Sequence, residues 1–404
     1  MGLPPSALGG PPDRRVYLDH AASTPLDPAA LAAMRPFLAE RFANPAARYR
    51  SARDAAEAVE RARATVAALL ECRPAEVAFT SGGTESINLA LRGIALAQML
   101  AGTARHIVTT AIEHDAVLRT VQALERFGIT HTIVDPGAEG IVSPDAVARA
   151  LRPDTALVSI MLANNEVGTI QPVAETVEAV RQRGRALRRR MFVHLDAVQG
   201  PGLLPVAVAR LGVDALSLSA HKFYGPKGGG VLVLRRGLPY LEQLTGGGQE
   251  HQRRAGTQNV AAVVGTAVAL ERAESLRAQV TCHCAALQER MRESIRERLP
   301  DARLNGDPAR MLPTHVNLSI PDIDGERLVE VLDEHGVEAS SGSACESTSR
   351  EPSHVLLAMG LPVELAVGAV RFTLGRETTD ADVDYALQIL PHIVEHLRTV
   401  SRAG

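Results

Sequence analysis

The stretch Val-Asp-Ala-Leu-Ser-Leu-Ser-Ala-His-Lys at 213–222, followed by Gly-Pro-Lys-Gly-Gly-Gly at 225–230, decides the reading of the chain. A short apolar run bounded by turn residues reads as a buried strand, and this one ends on a lysine flanked by Ser219 and His221. An amine just past a strand suits an aldehyde cofactor held as a Schiff base, given desolvation or a cationic neighbour. Twenty-six residues earlier, Asp196 ends a second apolar run, Met191-Phe192-Val193-His194-Leu195. Pyridoxal phosphate needs such a pair: a lysine for its aldehyde and a carboxylate that keeps its ring nitrogen protonated.

Outward from these two runs, short apolar segments alternate with longer helical patterns, which predicts βαβ units and a mostly parallel sheet. The predicted strands are Val77–Thr80, His106–Thr109, Thr130–Val134, Ala156–Ile160, Phe192–Leu195, Ala215–Leu218 and Val231–Leu234. Ser51 is the expected cap of a helix that has Asp54 in its first turn and runs to Glu71. A long helical stretch from Val260 to Arg298 breaks at Pro300 and reads as a bridge between domains. Beyond it, strands at His315–Ile320 and Val370–Leu374 and helices at Glu326–Glu334 and Asp380–Leu397 predict a smaller α+β domain.

A chain of 404 residues with 46% apolar and 22% charged residues has the balance of a globular protein with a substantial core. Its net charge of −3 gives no reason to expect nucleic acid or an anionic membrane as partner. No apolar run approaches the roughly 18 residues of a membrane span. The opening MGLPPSALGGPPDRR lacks the apolar core of a secretion signal and reads as a flexible lead over residues 1–15. Four cysteines make no disulfide framework, which fits a reducing compartment, so a cytoplasmic enzyme is expected.

Several further motifs fall at predicted strand ends. Ser81-Gly82-Gly83-Thr84-Glu85 follows the strand Val77–Thr80 and opens a helix, where backbone N–H groups and the Thr84 hydroxyl can close on a phosphate. An ordinary strand–helix turn has the same look. Ser219, His221 and, from a distant segment or a second subunit, Thr257 can donate to the same phosphate. His114, after the strand His106–Thr109, can stack on a cofactor ring and move a proton. Asn165 follows Ala156–Ile160 in the same way, though paired asparagines also form turns. Gln199 can bond a ring oxygen. Arg371 sits in an apolar stretch, either to capture a carboxylate bidentately or as half of a buried ion pair. Cys345 ends the small-residue run Ser-Ser-Gly-Ser-Ala-Cys and precedes a polar segment, so exposure and thiol chemistry are expected there. Cys282-His283-Cys284 is too tightly spaced for a usual zinc pair, and no metal is expected. The six arginines between Arg181 and Arg190 read as a solvated helix end.

Taken in order, these motifs resemble the pyridoxal-phosphate-dependent cysteine desulfurases, especially those serving iron–sulfur-cluster and nitrogenase assembly. The matching segments are Tyr-Leu-Asp-His-Ala-Ala-Ser-Thr-Pro at 17–25, Phe-Thr-Ser-Gly-Gly-Thr-Glu-Ser at 79–86, Glu-His at 113–114 and Asn-Asn-Glu-Val-Gly at 164–168. His-Leu-Asp-Ala-Val-Gln at 194–199, Ser-Ala-His-Lys at 219–222 and Arg-Arg-Ala-Gly-Thr at 253–257 continue the series. Ser-Ser-Gly-Ser-Ala-Cys at 340–345 and Glu-Pro-Ser-His-Val-Leu at 351–356 complete it.

The resemblance implies a type I aminotransferase-like fold, with a large cofactor domain at 27–269 and a small domain from 16–26 and 270–404. It implies a homodimer in which Thr257 reaches the partner's phosphate. Lys222 would hold the cofactor as an aldimine, Asp196 its ring nitrogen, and His114 would stack on the ring. Gly83, Thr84, Ser219 and His221 would bind phosphate, while Asn165 and Gln199 would contact ring or substrate. Arg371 would take the carboxylate of L-cysteine, near Asn44. Cys345 would capture sulfur as a persulfide, leaving L-alanine, and pass it to an acceptor or cluster scaffold protein. A selenocysteine lyase or an aminotransferase is the alternative within the same chemistry. Relatives usually carry serines and a histidine where this chain has Ala46, Ala47 and Tyr49. They carry arginine and glycine at His251 and Gln252, and often Tyr or Asn at His20.

Overall fold

The computed structural model describes residues 14–341 and 352–403. Its chain begins with a short strand β1 (Val16–Tyr17) and then builds a seven-stranded sheet. The strands of that sheet are β2 (Val77–Thr80), β3 (His106–Thr110), β4 (Thr130–Val134), β5 (Thr155–Met161), β6 (Phe192–Asp196), β7 (Ala215–Ser219) and β8 (Gly230–Leu234). All seven coincide with the expected segments to within one residue at either end. Their order is β2-β8-β7-β6-β5-β3-β4, and β8 alone runs against its neighbours. Every residue of β2, β3, β5, β6, β7 and β8 is buried, which is why these runs are rich in apolar residues and carry no ionisable side chain except at the end of β6 and in the buried imidazoles of β3 and β6. Only β4, at the sheet edge, has exposed positions.

Helices connect the parallel strands and cover both faces. The helix Arg50–Leu69 starts one residue before the expected Ser51 cap. The Tyr49 carbonyl accepts from both Ala52 and Arg53 N–H (3.1 Å each), so extended backbone at Tyr49 begins the helix without any side-chain cap. The helix Val260–Arg298 is continuous for 39 residues. Its first half (Val260, Val263, Ala267, Leu270) packs in the core under the large sheet. Its second half (Cys284, Leu287, Met291, Ile295) packs in a separate core with Val16, Leu18, Leu328, Phe372 and Ile389.

That second core is covered by two small sheets. β1 pairs in parallel with β11 (Val337–Glu338), and β10 (His315–Ser319) lies between β9 (Arg303–Leu304) and β12 (Ala369–Thr373). The N-terminal segment continues past β1 with a bridge from Asp19 to Thr373, then crosses to the large sheet. There Thr24 N–H donates to the His221 carbonyl (2.9 Å) and Thr24 Oγ1 accepts from Tyr224 N–H (2.7 Å). Among the described residues no helix is long and apolar enough to cross a membrane.

Candidate active site

Parallel strands aim their C-terminal ends at one edge of a sheet, and in open α/β sheets ligands gather there. Here that edge collects the ends of β2, β3, β5, β6 and β7 together with the returning N-terminal segment.

Lys222 closes a single helical turn, Ala220–Lys222, directly after β7. Its Nζ donates to the carbonyls of Ala21 (2.5 Å) and Ala22 (2.8 Å), and Gln199 Nε2 donates to the same Ala21 carbonyl (3.1 Å). The lysine is therefore aimed by backbone from the far end of the sequence. Beside it His221 Nδ1 meets Ser23 Oγ at 3.3 Å. Burial, assisted by the Lys222 and Lys227 charges, lowers the His221 ring to about 4, so it is neutral near pH 7.

Asp196 is the last residue of β6 and is 6% exposed. Its Oδ1 accepts the Val198 N–H at 3.0 Å. Burial pushes its carboxyl upward, while that N–H and the charges of His114 and Lys222 pull it down. Lysine, histidine and aspartate thus share one electrostatic site. His114 Nδ1 accepts the Ala116 N–H (3.0 Å) as the cap of the helix Asp115–Leu124. An accepting Nδ1 leaves the proton of the neutral ring on Nε2.

The glycine loop closes against the same place. The helix Gly83–Leu100 begins just after β2, and a Cβ on Gly83 would meet Val198 Cγ2 at 3.0 Å and Ser219 Cβ at 3.3 Å. Only a residue without a side chain lets this helix N-terminus approach Ser219 so closely. Glu85 holds the turn, accepting from Ser81 N–H (2.6 Å) and from Arg254 Nε (2.8 Å), three residues before Thr257. Thr84, Thr257 and Asn44 are exposed, and Asn44 Oδ1 accepts only the local Ala46 N–H (2.9 Å).

Arg371 lies on β12, 3% exposed. Nη2 donates to Asp19 Oδ1 (2.7 Å) and Nη1 to the Asn165 carbonyl (2.8 Å), while its buried Nε has no partner among the described residues. The ion pair offered by the sequence is therefore present, while bidentate capture of a carboxylate is not seen: both Nη atoms have partners and Nε alone is left among the described residues. Asn165 is half-buried, whereas its neighbour Asn164 is spent on the turn, accepting Glu166 and Val167 N–H (2.9 Å each). Cys345 lies outside the described residues.

Sequence reasoning passed over three buried groups here. Glu113, beside His114, is fully buried; its Oε1 accepts from Thr110 Oγ1 (2.7 Å) and Met161 N–H (2.9 Å), and Oε2 has no partner among the described residues. Burial, reinforced by Asp196, raises its carboxyl to about 8. Glu166 is also buried, its carboxyl raised by burial, and it accepts from Ser353 Oγ. His354 Nε2 in turn bonds the Glu113 carbonyl (3.0 Å). His315, on β10, is lowered to about 3 by burial and by Arg371, and its Nε2 has no partner among the described residues. Glu113 (in Thr-Thr-Ala-Ile-Glu-His-Asp) and Glu166 (in Asn-Asn-Glu-Val-Gly) have polar neighbours in the sequence, so no local signal announced their burial.

The class-V aminotransferase family model matches residues 16–386. A cysteine desulfurase named IscS from Dictyoglomus turgidum is 44% identical over 388 residues, covering 96% of both chains. Another from Methanosarcina thermophila is 42% identical over 389 residues, covering 96% of this chain and 94% of its own. Among solved structures, a NifS-like protein superposes with a TM-score of 0.87 at 36% identity, over 95% of this chain and all of the other.

Proposed function

The chain belongs to the class-V aminotransferase family, and on that premise we infer that it is a pyridoxal-phosphate-dependent cysteine desulfurase, converting L-cysteine to L-alanine and delivering sulfur to an acceptor. The observation that carries this reading is the convergence of Lys222, Asp196 and His114 with the glycine-opened helix at one sheet edge.

The residues present fit the cofactor. Lys222 offers the amine, Asp196 a carboxylate for a cationic ring nitrogen, and His114 a planar face. The Gly83 N-terminus, Thr84, Ser219 and His221 suit a phosphate. When bound, pyridoxal phosphate supplies an electron sink for charge developing at the substrate Cα. Lys222 Nζ takes the Cα proton of L-cysteine, and the two alanine carbonyls on it keep the amine at hand. Arg371 holds the substrate carboxylate, with its unpartnered Nε as the donor in waiting. Asn165, beside that guanidinium, and Gln199 orient ring and substrate. The thiolate of Cys345 attacks substrate sulfur: an S–S bond forms, the Cβ–S bond breaks, and the persulfide passes to the acceptor by thiol exchange.

A second copy completes the site. Phe42 (82% exposed), Leu38 (63%) and Tyr49 (57%) crowd the segment that also bears Asn44. Apolar exposure of this density marks an interface, and covering it would bring Asn44 and Thr257 towards a neighbouring subunit's site. This reading keeps a large domain at 27–269 and a small one from 16–26 and 270–404, joined by the helix Val260–Arg298; the separate core around Val16, Leu18, Met291 and Phe372 supports the small domain, while Val355, Leu356 and Ala366 pack with the large one. A cytoplasmic setting and a cluster-scaffold acceptor accompany this reading.

Lys222 and Lys227 are the only lysines in the sequence. Borohydride trapping and peptide mapping should therefore place the cofactor on Lys222 alone; label on Lys227 overturns the assignment. Cys345→Ser should retain the cofactor absorbance and lose enzyme-bound persulfide. Full sulfur transfer by that variant would remove Cys345 from the mechanism.

A further inference from the structure

The edge of the large sheet opposite the active site holds a cleft of about 940 Å³. Eight arginines line it against three carboxylates. They come from three separate segments: Arg73 after the helix Arg50–Leu69, residues 181–190 in the last turns of the helix Val173–Ala186 and just beyond it, and Arg235-Arg236 directly after β8. A solvated helix end accounts for Arg183 and Arg185, which complement the helix dipole. It does not account for arginines from two other elements converging on the same space, in a chain whose net charge is −3.

The three carboxylates neutralise this cluster of eight arginines only in part. Glu76 is held by the backbone N–H groups of Arg73 (2.9 Å) and Arg236 (2.8 Å), and Glu71 by Arg210, which does not line the cleft. Asp214 accepts the Val193 N–H (3.0 Å) and pairs with Arg190 at 3.5 Å. Arg73, Arg188, Arg235 and Arg236 are exposed, with no carboxylate in ion-pair range among the described residues. Arg188 also sits at φ 52, a left-handed position after a helix end where glycine is usual. Like charges gathered in a concave site repel one another, and an anion between them relieves that repulsion. Buried Val180, Met191 and Val208 form an apolar floor. Burial raises the Cys72 thiol there to about 12, so thiolate chemistry is not what the cleft offers.

We propose that this cleft is a second binding site, separate from the cofactor site, for a small polyphosphate-bearing anion. Guanidinium forks match phosphate oxygens bidentately, and the volume is that of a small-ligand pocket rather than a flat protein-docking face. The apolar floor suits a ring carried with the phosphates, as in a nucleoside triphosphate. This site stands independently of the desulfurase reading.

The test is calorimetric titration of the cofactor-loaded, full-length enzyme with inorganic tripolyphosphate and with ATP, at about 50 and about 200 mM salt. Expected is saturable binding that weakens with salt, and at least about tenfold weaker binding in Arg188→Gln/Arg235→Gln/Arg236→Gln. Arg327→Gln, which removes an exposed arginine elsewhere, should leave binding unchanged. Turnover of L-cysteine should be retained in the triple variant, showing that it folds. ATP binding more tightly than tripolyphosphate places a ring on the floor; equal affinities assign the site to phosphates alone, and both support the proposal. No saturable binding of either probe, or equal binding by the triple variant, overturns it. So does a polyglutamate peptide or a single-stranded oligonucleotide that binds and is not displaced by tripolyphosphate, because the cleft would then serve a macromolecule.

Discussion

Arg371 Nη2 donates to Asp19 Oδ1 at 2.7 Å, joining two residues 352 positions apart. The bond ties the N-terminal segment, whose Ala21 and Ala22 carbonyls receive Lys222 Nζ, to the strand bearing the proposed carboxylate-binding arginine. The residues that position the amine and the residue that would position the substrate are thereby one unit.

Removing Asp19 should disturb both. With Arg371 buried and Asp19 only partly so, Asp19→Ala is expected to cost about 2 kcal/mol of stability, less than for a fully buried pair. Arg371→Lys keeps a charge and loses the fork, so KM for L-cysteine should rise about tenfold while the cofactor spectrum is unchanged. Steady-state kinetics on both variants checks this. An unchanged KM in Arg371→Lys would remove the arginine from substrate binding.

Glu113 makes stability depend on pH. Its folded value, about 8, lies above the value near 4.5 of an exposed carboxyl, so between these the folded state keeps a proton that the unfolded state has released. Stability should therefore fall as pH rises through that window, by up to about 1.4 kcal/mol per unit from this group. Glu113→Gln abolishes that contribution, so urea midpoints of the variant should gain on the parent between pH 6 and pH 8. Parallel pH dependences would contradict the buried, protonated carboxyl.

Arg63 and Glu250 form a pair with side chains 1% and 2% exposed, at 2.7 Å. Glu250 Oε2 also accepts the Phe79 N–H (2.9 Å), one residue before the end of β2 and hence close to the glycine loop. Glu250→Ala leaves the buried guanidinium with only the exposed Glu60 carboxylate on its Nε (3.1 Å) and should cost about 3 kcal/mol. Chemical denaturation measures it, and a loss below about 1 kcal/mol would show the pair to be solvated.

Gln252 has a φ of 61, following Glu250 at 47 and His251 at 55. Three consecutive left-handed residues store strain that glycine avoids. Gln252→Gly should stabilise the protein by up to about 1 kcal/mol, offset in part by greater freedom of the unfolded chain. A lower melting temperature would mean that the glutamine side chain makes contacts outweighing its backbone strain.

Much of the architecture was legible because burial on both faces forces a run rich in apolar residues, and such runs end where the sheet ends. β5 to β7 were found this way, and with them Asp196, Ser219 and Lys222, whose positions follow from the strand ends. The start of the helix Arg50–Leu69 was missed by two residues, Tyr49 rather than Ser51 being its cap, because that cap is a backbone carbonyl, which leaves no side-chain signature. The arginine-rich segment looked like a solvated helix end since nothing local announces that Arg73 and Arg236 lie across from it.

Local order along the chain was thus enough to determine the strands, the edge at which they present chemistry, and the amine, carboxylate and imidazole placed there. Tertiary structure alone decided that Ala21 and Ala22 would aim Lys222, that Asp19 would pair with Arg371, and that Glu113 would stay protonated. Those outcomes depend on distance and on exclusion of water between segments hundreds of residues apart, and neither is a property of any short stretch of sequence.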